Sequence, residues 1–245
     1  MGTYCISDIH GCHDEFMALL ELIGFDPARD MLYILGDVID RGGQSLECLR
    51  FVRKSKNIML LRGNHEQMML DYYDGKDFYG NWNRNGNSKI KYEMRCLTGT
   101  ERNNILEYIR KRPLYKTLSV NGRRYFLSHA GLNVRLPFNR QGTDDCVWSR
   151  EEFYLGAGLK THTVIFGHTP AFNIHGTDNC AVWRDNRYNN KICIDCGCVY
   201  GGALAALRLD DGEIFYVKSN AGSKTRGYTI NPAPVSVNYL NMGDN

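Results

Sequence analysis

Five short polar clusters stand directly behind apolar runs in this chain: Asp8-Ile9-His10-Gly11, Gly36-Asp37-Val38-Ile39-Asp40-Arg41-Gly42, Gly63-Asn64-His65-Glu66, His129-Ala130-Gly131 and Gly167-His168-Thr169. Asp, His and Asn together are mixed oxygen and nitrogen ligands. That set suits Mn, Fe or Zn better than Ca or a thiolate site. Each cluster includes a glycine, which lets backbone approach a ligand closely. Taken alone, Asp-x-His is an ordinary strand-end turn, and a buried histidine is more often a satisfied core residue than a ligand. All five together, in order and each behind an apolar run, point to one constellation. The carboxyl ends of strands in open α/β sheets are where ligands bind.

The segments that must position these clusters read as strands and helices in alternation. Thr3–Ser7, Met31–Leu35 and Ile58–Leu61 are apolar runs of strand length. Between them, Phe16, Leu19, Leu20 and Ile23 follow one helix face, and Cys48, Phe51 and Val52 suggest a second helix. This βαβαβ rhythm predicts parallel strands with right-handed crossovers. Thr98-Gly99-Thr100-Glu101 fits a helix capping box, with Arg112-Pro113 closing that helix. Later segments predict antiparallel strands: Asn121-Gly122 separates Leu118–Val120 from Tyr125–Leu127, a two-residue hairpin signal. Val164–Phe166 and Ile192–Ile194 are further strands, and Asp210-Asp211-Gly212 joins Leu204–Leu209 to Ile214–Val217. From Asn220 onward the chain is polar and is assigned no secondary structure. One domain over 1–219 with a polar tail over 220–245 is the expected organisation.

Composition narrows the remaining options. At 245 residues with 43% hydrophobic residues, the chain can bury one large core without disulfides. The net charge of +3 is too small for an electrostatic footprint on nucleic acid or an anionic membrane. No apolar run is long enough to span a bilayer, and the N-terminus lacks secretory-signal features. Nine cysteines, an odd number in apolar surroundings, suit reduced buried thiols and a cytoplasmic location. Cys193, Cys196 and Cys198 include one C-x-x-C, but no second one completes a zinc ribbon. Walker A and Gly-x-Ser-x-Gly motifs are absent, which argues against NTPase and serine-hydrolase chemistry. The aromatic stretch Tyr72, Tyr73, Phe78, Tyr79 and Trp82 reads as helix packing in preference to a substrate-facing rim.

Asp-x-His, Gly-Asp-x-x-Asp-Arg-Gly and Gly-Asn-His-Glu followed by two lone histidines resemble the calcineurin-like metallophosphoesterases. Within them, the pattern is most similar to the short bacterial and bacteriophage members of the phosphoprotein phosphatase family. The resemblance covers Thr3 to about Val217. It implies an α/β fold: a four-layer sandwich of two mixed β-sheets flanked by helices, with two divalent metals, Mn first and Fe or Zn as options. It places Asp8 and His10 on the first metal, Asp37 between the two, and Asn64, His129 and His168 on the second. His65 and Asp40 become a proton-donating dyad. Arg41, Arg62 and Arg150 become phosphate-binding residues.

Those roles suit attack on an electron-rich ester. Two metals would clamp phosphoryl oxygens and lower the pKa of a water they share. Planar guanidinium forks would hold the remaining oxygens, and a histidine acid would protonate the leaving alkoxide. The expected activity is therefore a metal-dependent phosphomonoesterase acting on phosphorylated Ser or Thr, and on Tyr as an option, in protein substrates, with the chain a monomer. The alternative is a symmetrical bis(5'-nucleosyl)-tetraphosphatase built on the same frame. That relative commonly departs from Asp-Arg-Gly at the second motif and carries Asp where Glu66 stands, which favours the phosphatase side. A non-catalytic scaffold is the remote third reading, disfavoured because every motif position is filled.

Overall fold

The computed structural model describes residues 1–220, 229–230 and 237–241. Two sheets stack face to face. The first carries the strands β1 (Thr3–Ile6), β2 (Met31–Ile34), β3 (Ile58–Leu60), β9 (Ala203–Arg208), β10 (Ile214–Lys218) and β11 (Val237–Asn241), in the order β11-β10-β9-β1-β2-β3. The second carries β4 (Tyr115–Val120), β5 (Arg123–Ser128), β6 (Thr163–Phe166), β7 (Trp183–Arg184) and β8 (Lys191–Cys193), in the order β4-β5-β6-β8-β7.

Strand alternation explains the layers. Successive side chains point to opposite faces of a sheet. Tyr4, Ile6, Leu32 and Ile34 therefore pack outward with Phe16 and Leu19 of helix α1 (His13–Leu22) and Leu49 and Val52 of α2 (Ser45–Lys54). Cys5, Tyr33 and Leu35 point the other way and meet Tyr125, Leu127 and Ile165 of the second sheet in an inter-sheet core. Phe126, Val164 and Phe166 form the outer face of that second sheet, against Phe153 and Leu132. The result is the expected α/β sandwich of two mixed sheets flanked by helices.

The βαβαβ reading matches the parallel pairing of β1 with β2 and of β2 with β3. Thr98 accepts from the Glu101 amide at the start of an α5 helix over Gly99–Arg110. Asn121 and Gly122 both have positive φ, 48° and 78°, as a two-residue hairpin between β4 and β5 requires.

Two expectations need correction. The later strands are not all antiparallel, because β5–β6 and β6–β8 pair in parallel. Short helices and irregular chain make the β5–β6 crossover, without the long amphipathic helix that announces one in sequence. The stretch from Asn220 is not devoid of structure either: Val237–Asn241 adds a strand parallel to β10. Its Val, Tyr and Leu are strand-favouring types that polar neighbours masked.

Candidate active site

The parallel strands bring their carboxyl ends to one seam between the sheets. Asp8 and His10 follow β1, Asp37 follows β2, and Asn64 opens helix α3 (Asn64–Tyr73) behind β3. His129 follows β5 and His168 follows β6. Asp8, His10, Asp37, Asp40, Arg41 and His168 all have positive φ, and they make up six of the nine non-glycine residues with that conformation among the described residues. Such backbone costs on the order of 1–3 kcal/mol per residue and concentrates at functional sites.

Packing at the seam is tight enough to demand glycine. A Cβ on Gly63 would collide with the Asp37 carboxylate and amide, and one on Gly167 would collide with Ser7 and Asp8. Glu66 locks two loops together, since its carboxylate accepts from the amides of Asp37 at 2.8 Å, Val38 at 2.9 Å and Gly63 at 2.9 Å. The Asp8 carboxylate accepts from Ser7 Oγ and from the His168 amide, tying the first sheet to the second.

The imidazoles are oriented by their backs. Nδ1 of His10 donates to the Ile39 carbonyl at 2.8 Å, and Nδ1 of His129 donates to the Leu35 carbonyl at 2.8 Å. Each Nε2 is thereby left as a lone-pair donor facing inward. His10 Nε2 lies 3.4 Å from Asp37 Oδ2, and His129 Nε2 lies 3.4 Å from the same oxygen. Asn64 Oδ1 is 2.8 Å from His129 Nε2 and 3.0 Å from His168 Nδ1. Two triads result, His10-Asp37-His65 and Asp37-His129-His168, sharing Asp37.

Several observations fit this donor set to divalent cations. His65 Nε2 and His168 Nε2 are buried without a hydrogen-bond partner. Asp8, Asp37, Asp40, Glu66 and Asp195 are all buried together with these histidines. Burial, then repulsion from Asp8 and Glu66, pushes the Asp37 carboxyl well above its usual range. Burial and the charge of Asp8 do the same to Asp195. Burial lowers the His10, His129 and His168 imidazoles, keeping them neutral as metal ligands must be. Cations placed between these groups would relieve the carboxylate repulsion and use the neutral imidazoles. Asp8, His10 and Asp37 could hold one, and Asp37, Asn64, His129 and His168 the other.

His65 sits differently. Its Nδ1 is 2.6 Å from Asp40 Oδ2, and its Nε2 faces Asp37 Oδ2 at 3.8 Å. Burial drives the imidazole well below its normal range and the Asp40 carboxyl up to about 8. The pair therefore favours a net-neutral unit sharing one proton. Asp40 Oδ2 also accepts from the indole of Trp82 at 2.8 Å.

The three arginines part company. Arg41 reaches His10 Nε2, and its guanidinium carbon lies 5.4 Å from the Tyr200 ring centroid. Arg150 is beside the second set, where its Nη1 donates to Thr169 Oγ1 at 3.3 Å, next to His168. Arg62 directs its hydrogen bonds elsewhere: its guanidinium is taken up by Gln67 and by the carbonyls of Arg110 and Arg112 at the end of α5. Adjacency to Gly63 in sequence suggested a phosphate contact, but those unpaired helix-end carbonyls are the stronger claim on a nearby cation.

Sequence reasoning overlooked three contributors. Trp82 packs against Tyr72 and Tyr73 as expected, yet its indole also needs a partner when buried, which Asp40 supplies. Glu66 stands three residues after the helix-capping Gly63, the position whose carboxylate reaches back to free amides. Asp195-Cys196-Gly197 follows β8 and repeats the pattern of the five clusters. All nine cysteines are free, and all but Cys96 are buried. Among the described residues no helix is long and apolar enough to cross a membrane.

The chain is similar to known proteins along most of its length. It shares 28% identity with a symmetrical bis(5'-nucleosyl)-tetraphosphatase of Methylobacillus flagellatus, covering 92% of this chain and 98% of that one. A solved structure described as a candidate diadenosine tetraphosphatase superposes with a TM-score of 0.66 at 22% identity, covering 90% and 95% of the two chains. A serine/threonine protein phosphatase of Saccharomyces cerevisiae superposes with a TM-score of 0.57 at 16% identity, covering 87% and 74%. Residues 1–202 match the model of the calcineurin-like phosphoesterases. With that match spanning all five clusters and the His–Asp triads lying at the seam between the sheets, the chain belongs to the calcineurin-like phosphoesterase family.

Proposed function

We propose that this metal-dependent phosphoesterase hydrolyses symmetrical dinucleoside tetraphosphates, each molecule taking one water and giving two nucleoside diphosphates. The observation that carries the reading is the end-to-end correspondence with a tetraphosphatase relative, which leaves almost none of either chain unmatched. The arginines agree with it. A terminal monoester offers three free oxygens, a demand that three arginines could meet. Arg62 is engaged elsewhere, so Arg41 and Arg150 remain, one beside each ligand set. An internal phosphate with fewer free oxygens suits that smaller clamp.

Divalent cations held by the two ligand sets would activate water and neutralise phosphoryl charge. The protein's own groups do the rest. Asp40 holds His65 by Nδ1 so that Nε2 faces the seam, where it can pass a proton to the departing oxygen. Arg41, at His10, and Arg150, at Thr169, would hold phosphoryl oxygens, and Glu66 fixes the loops carrying Asp37 and Asn64.

A second reading, dephosphorylation of Ser, Thr or Tyr in proteins, is favoured by Asp40-Arg41-Gly42 and by Glu66 at the third motif. One experiment separates the two: chromatography of products from diadenosine tetraphosphate and from phosphoserine, phosphothreonine and phosphotyrosine peptides, each with Mn²⁺. Efficient ADP release with slow phosphate release from peptides supports the first reading. The reverse ranking replaces it with the second.

A further inference from the structure

Large aromatic side chains seldom stay exposed beside a buried polar site without a use. Two do so here, one beside each ligand set. Trp148 is 37% exposed and meets the edge of His168 at 5.9 Å between ring centroids. It shares its segment with Arg150. Tyr200 is 39% exposed, and its other neighbours are Arg41, 5.4 Å from its ring centroid, and the edge of Phe172 at 6.3 Å. Arg41 links Tyr200 to the first ligand set, since the same guanidinium reaches His10 Nε2.

Each ligand set thus has one arginine and one exposed aromatic beside it. From the shared Asp37, one arm runs through His10 to Arg41 and Tyr200. On the other, His168 carries Trp148 on its ring edge, and Arg150 of the same segment bonds the neighbouring Thr169. A dinucleoside oligophosphate has matching parts: phosphates at the centre and a flat base at each end. We propose that Trp148 and Tyr200 are the two base-stacking platforms of this site, one for each half of the substrate. The proposal rests on the dinucleoside reading above and adds what fixes the position of the cut. A cut that yields two equal halves needs the central P–O–P bridge held at equal reach from both bases, and one platform alone would leave that reach undefined. A cavity of about 500 Å³ lined by Leu132, Asn133, Asp145, Ser149 and Glu152 lies along the Trp148 segment, with polar groups for a sugar or base edge.

Stacking on an aromatic side chain is sequence-tolerant and is worth about 5- to 100-fold in affinity per base by alanine substitution. The test compares full-length wild type, Trp148→Ala, Tyr200→Ala and Trp148→Phe with Mn²⁺ on diadenosine tetraphosphate and on glycerol 2-phosphate, which has no ring. Each alanine variant is expected to raise the ratio of the two KM values by about 5- to 100-fold, whereas Trp148→Phe restores most of it. A second readout needs no turnover. Trp82 is fully buried and Trp183 partly buried, so Trp148 is the exposed indole. ADP should quench its fluorescence in metal-free protein more than pyrophosphate does, and Trp148→Phe should lose that quench. Equal KM rises on both substrates, or equal quenching by ADP and pyrophosphate, overturns the platforms alone. Wild type that releases no ADP from diadenosine tetraphosphate sinks the dinucleoside reading and the platforms with it. A phosphoserine peptide run beside both substrates, if its KM alone rises, would reassign both aromatics to peptide recognition.

Discussion

Asp40 Oδ2 and His65 Nδ1 lie 2.6 Å apart with both side chains fully buried, which fixes the imidazole with Nε2 toward the two ligand sets. His65 follows Asn64 directly in the chain, yet the two side chains meet different partners: His129 and His168 for Asn64, Asp40 for His65. If His65 is a proton donor, His65→Asn should keep the metal content of the wild type while kcat falls. The fall should be about 10²- to 10⁴-fold for an alkyl phosphate, whose leaving oxygen needs a proton. It should be smaller for p-nitrophenyl phosphate or a dinucleoside tetraphosphate, whose leaving groups are more acidic. Elemental analysis showing lost metal would instead make His65 a ligand.

Trp82 donates to that same Asp40 oxygen at 2.8 Å. Trp82→Phe keeps an aromatic ring against Tyr72 and Tyr73 but removes the donor, so Asp40 loses one of two partners. The expected result is a fold close to wild type by circular dichroism and a kcat loss smaller than that of His65→Asn. In the double variant the two losses should not add, because both act through one unit. Additive losses would show that Trp82 works independently of His65.

Arg62 should behave as a structural residue. Its contacts with Gln67 and the Arg110 and Arg112 carbonyls hold α3 against the end of α5. Arg62→Ala is expected to cost about 1–3 kcal/mol in a urea titration, the range for hydrogen bonds made by a charged group. Arg41→Ala and Arg150→Ala should raise KM more than Arg62→Ala does. A KM rise for Arg62→Ala matching theirs, with unchanged stability, would return Arg62 to the phosphate.

The ligand loops were legible because their information is local. Asp8, Asp37, Asn64, His129 and His168 each sit one to four residues behind an apolar run, and strand ends in a parallel sheet share one edge. The partners of Arg62 were not legible for the opposite reason: where a long side chain goes depends on the helix end it finds, and Arg110 is 48 residues away. The parallel β5–β6–β8 arrangement was hidden because no long amphipathic helix fills its first crossover. Trp82 and Asp40 are 42 residues apart, and nothing in either local pattern joins them. The sandwich itself entered through family resemblance, since periodicity predicts which strands are buried but not how two sheets stack.

Metal removal should abolish turnover, and Mn²⁺ should restore it more fully than Mg²⁺. Three of the six side chains in the ligand sets are imidazoles, a nitrogen share that suits Mn²⁺ better than Mg²⁺, which takes oxygen ligands. Asp37 belongs to both triads, so Asp37→Asn should remove activity and lower metal stoichiometry more than Asn64→Ala does. Full activity in a chelated preparation, confirmed free of metal by elemental analysis, would sink the two-metal arrangement.

Acid sensitivity has a separate source at the start of the first sheet. Asp30 accepts from the Gly2 amide at 2.7 Å and the Asp26 amide at 3.0 Å, pinning the entry to β1 beside β2. Burial acts to raise its carboxyl, but the two amide donors outweigh burial and hold it below the usual range. The unfolded chain then binds this proton more readily than the folded one. The stabilisation is present above the unfolded value of about 3.9 and is lost as pH falls through the folded value. Asp30→Asn keeps a carbonyl acceptor and loses the charge. In metal-free protein, the urea midpoint of the variant should lie below that of wild type at pH 7 and pH 5. The gap should then narrow as pH drops below about 4 and close once pH is below the folded value, where both side chains are neutral. A gap of constant size across that range would assign the cost to geometry instead of charge.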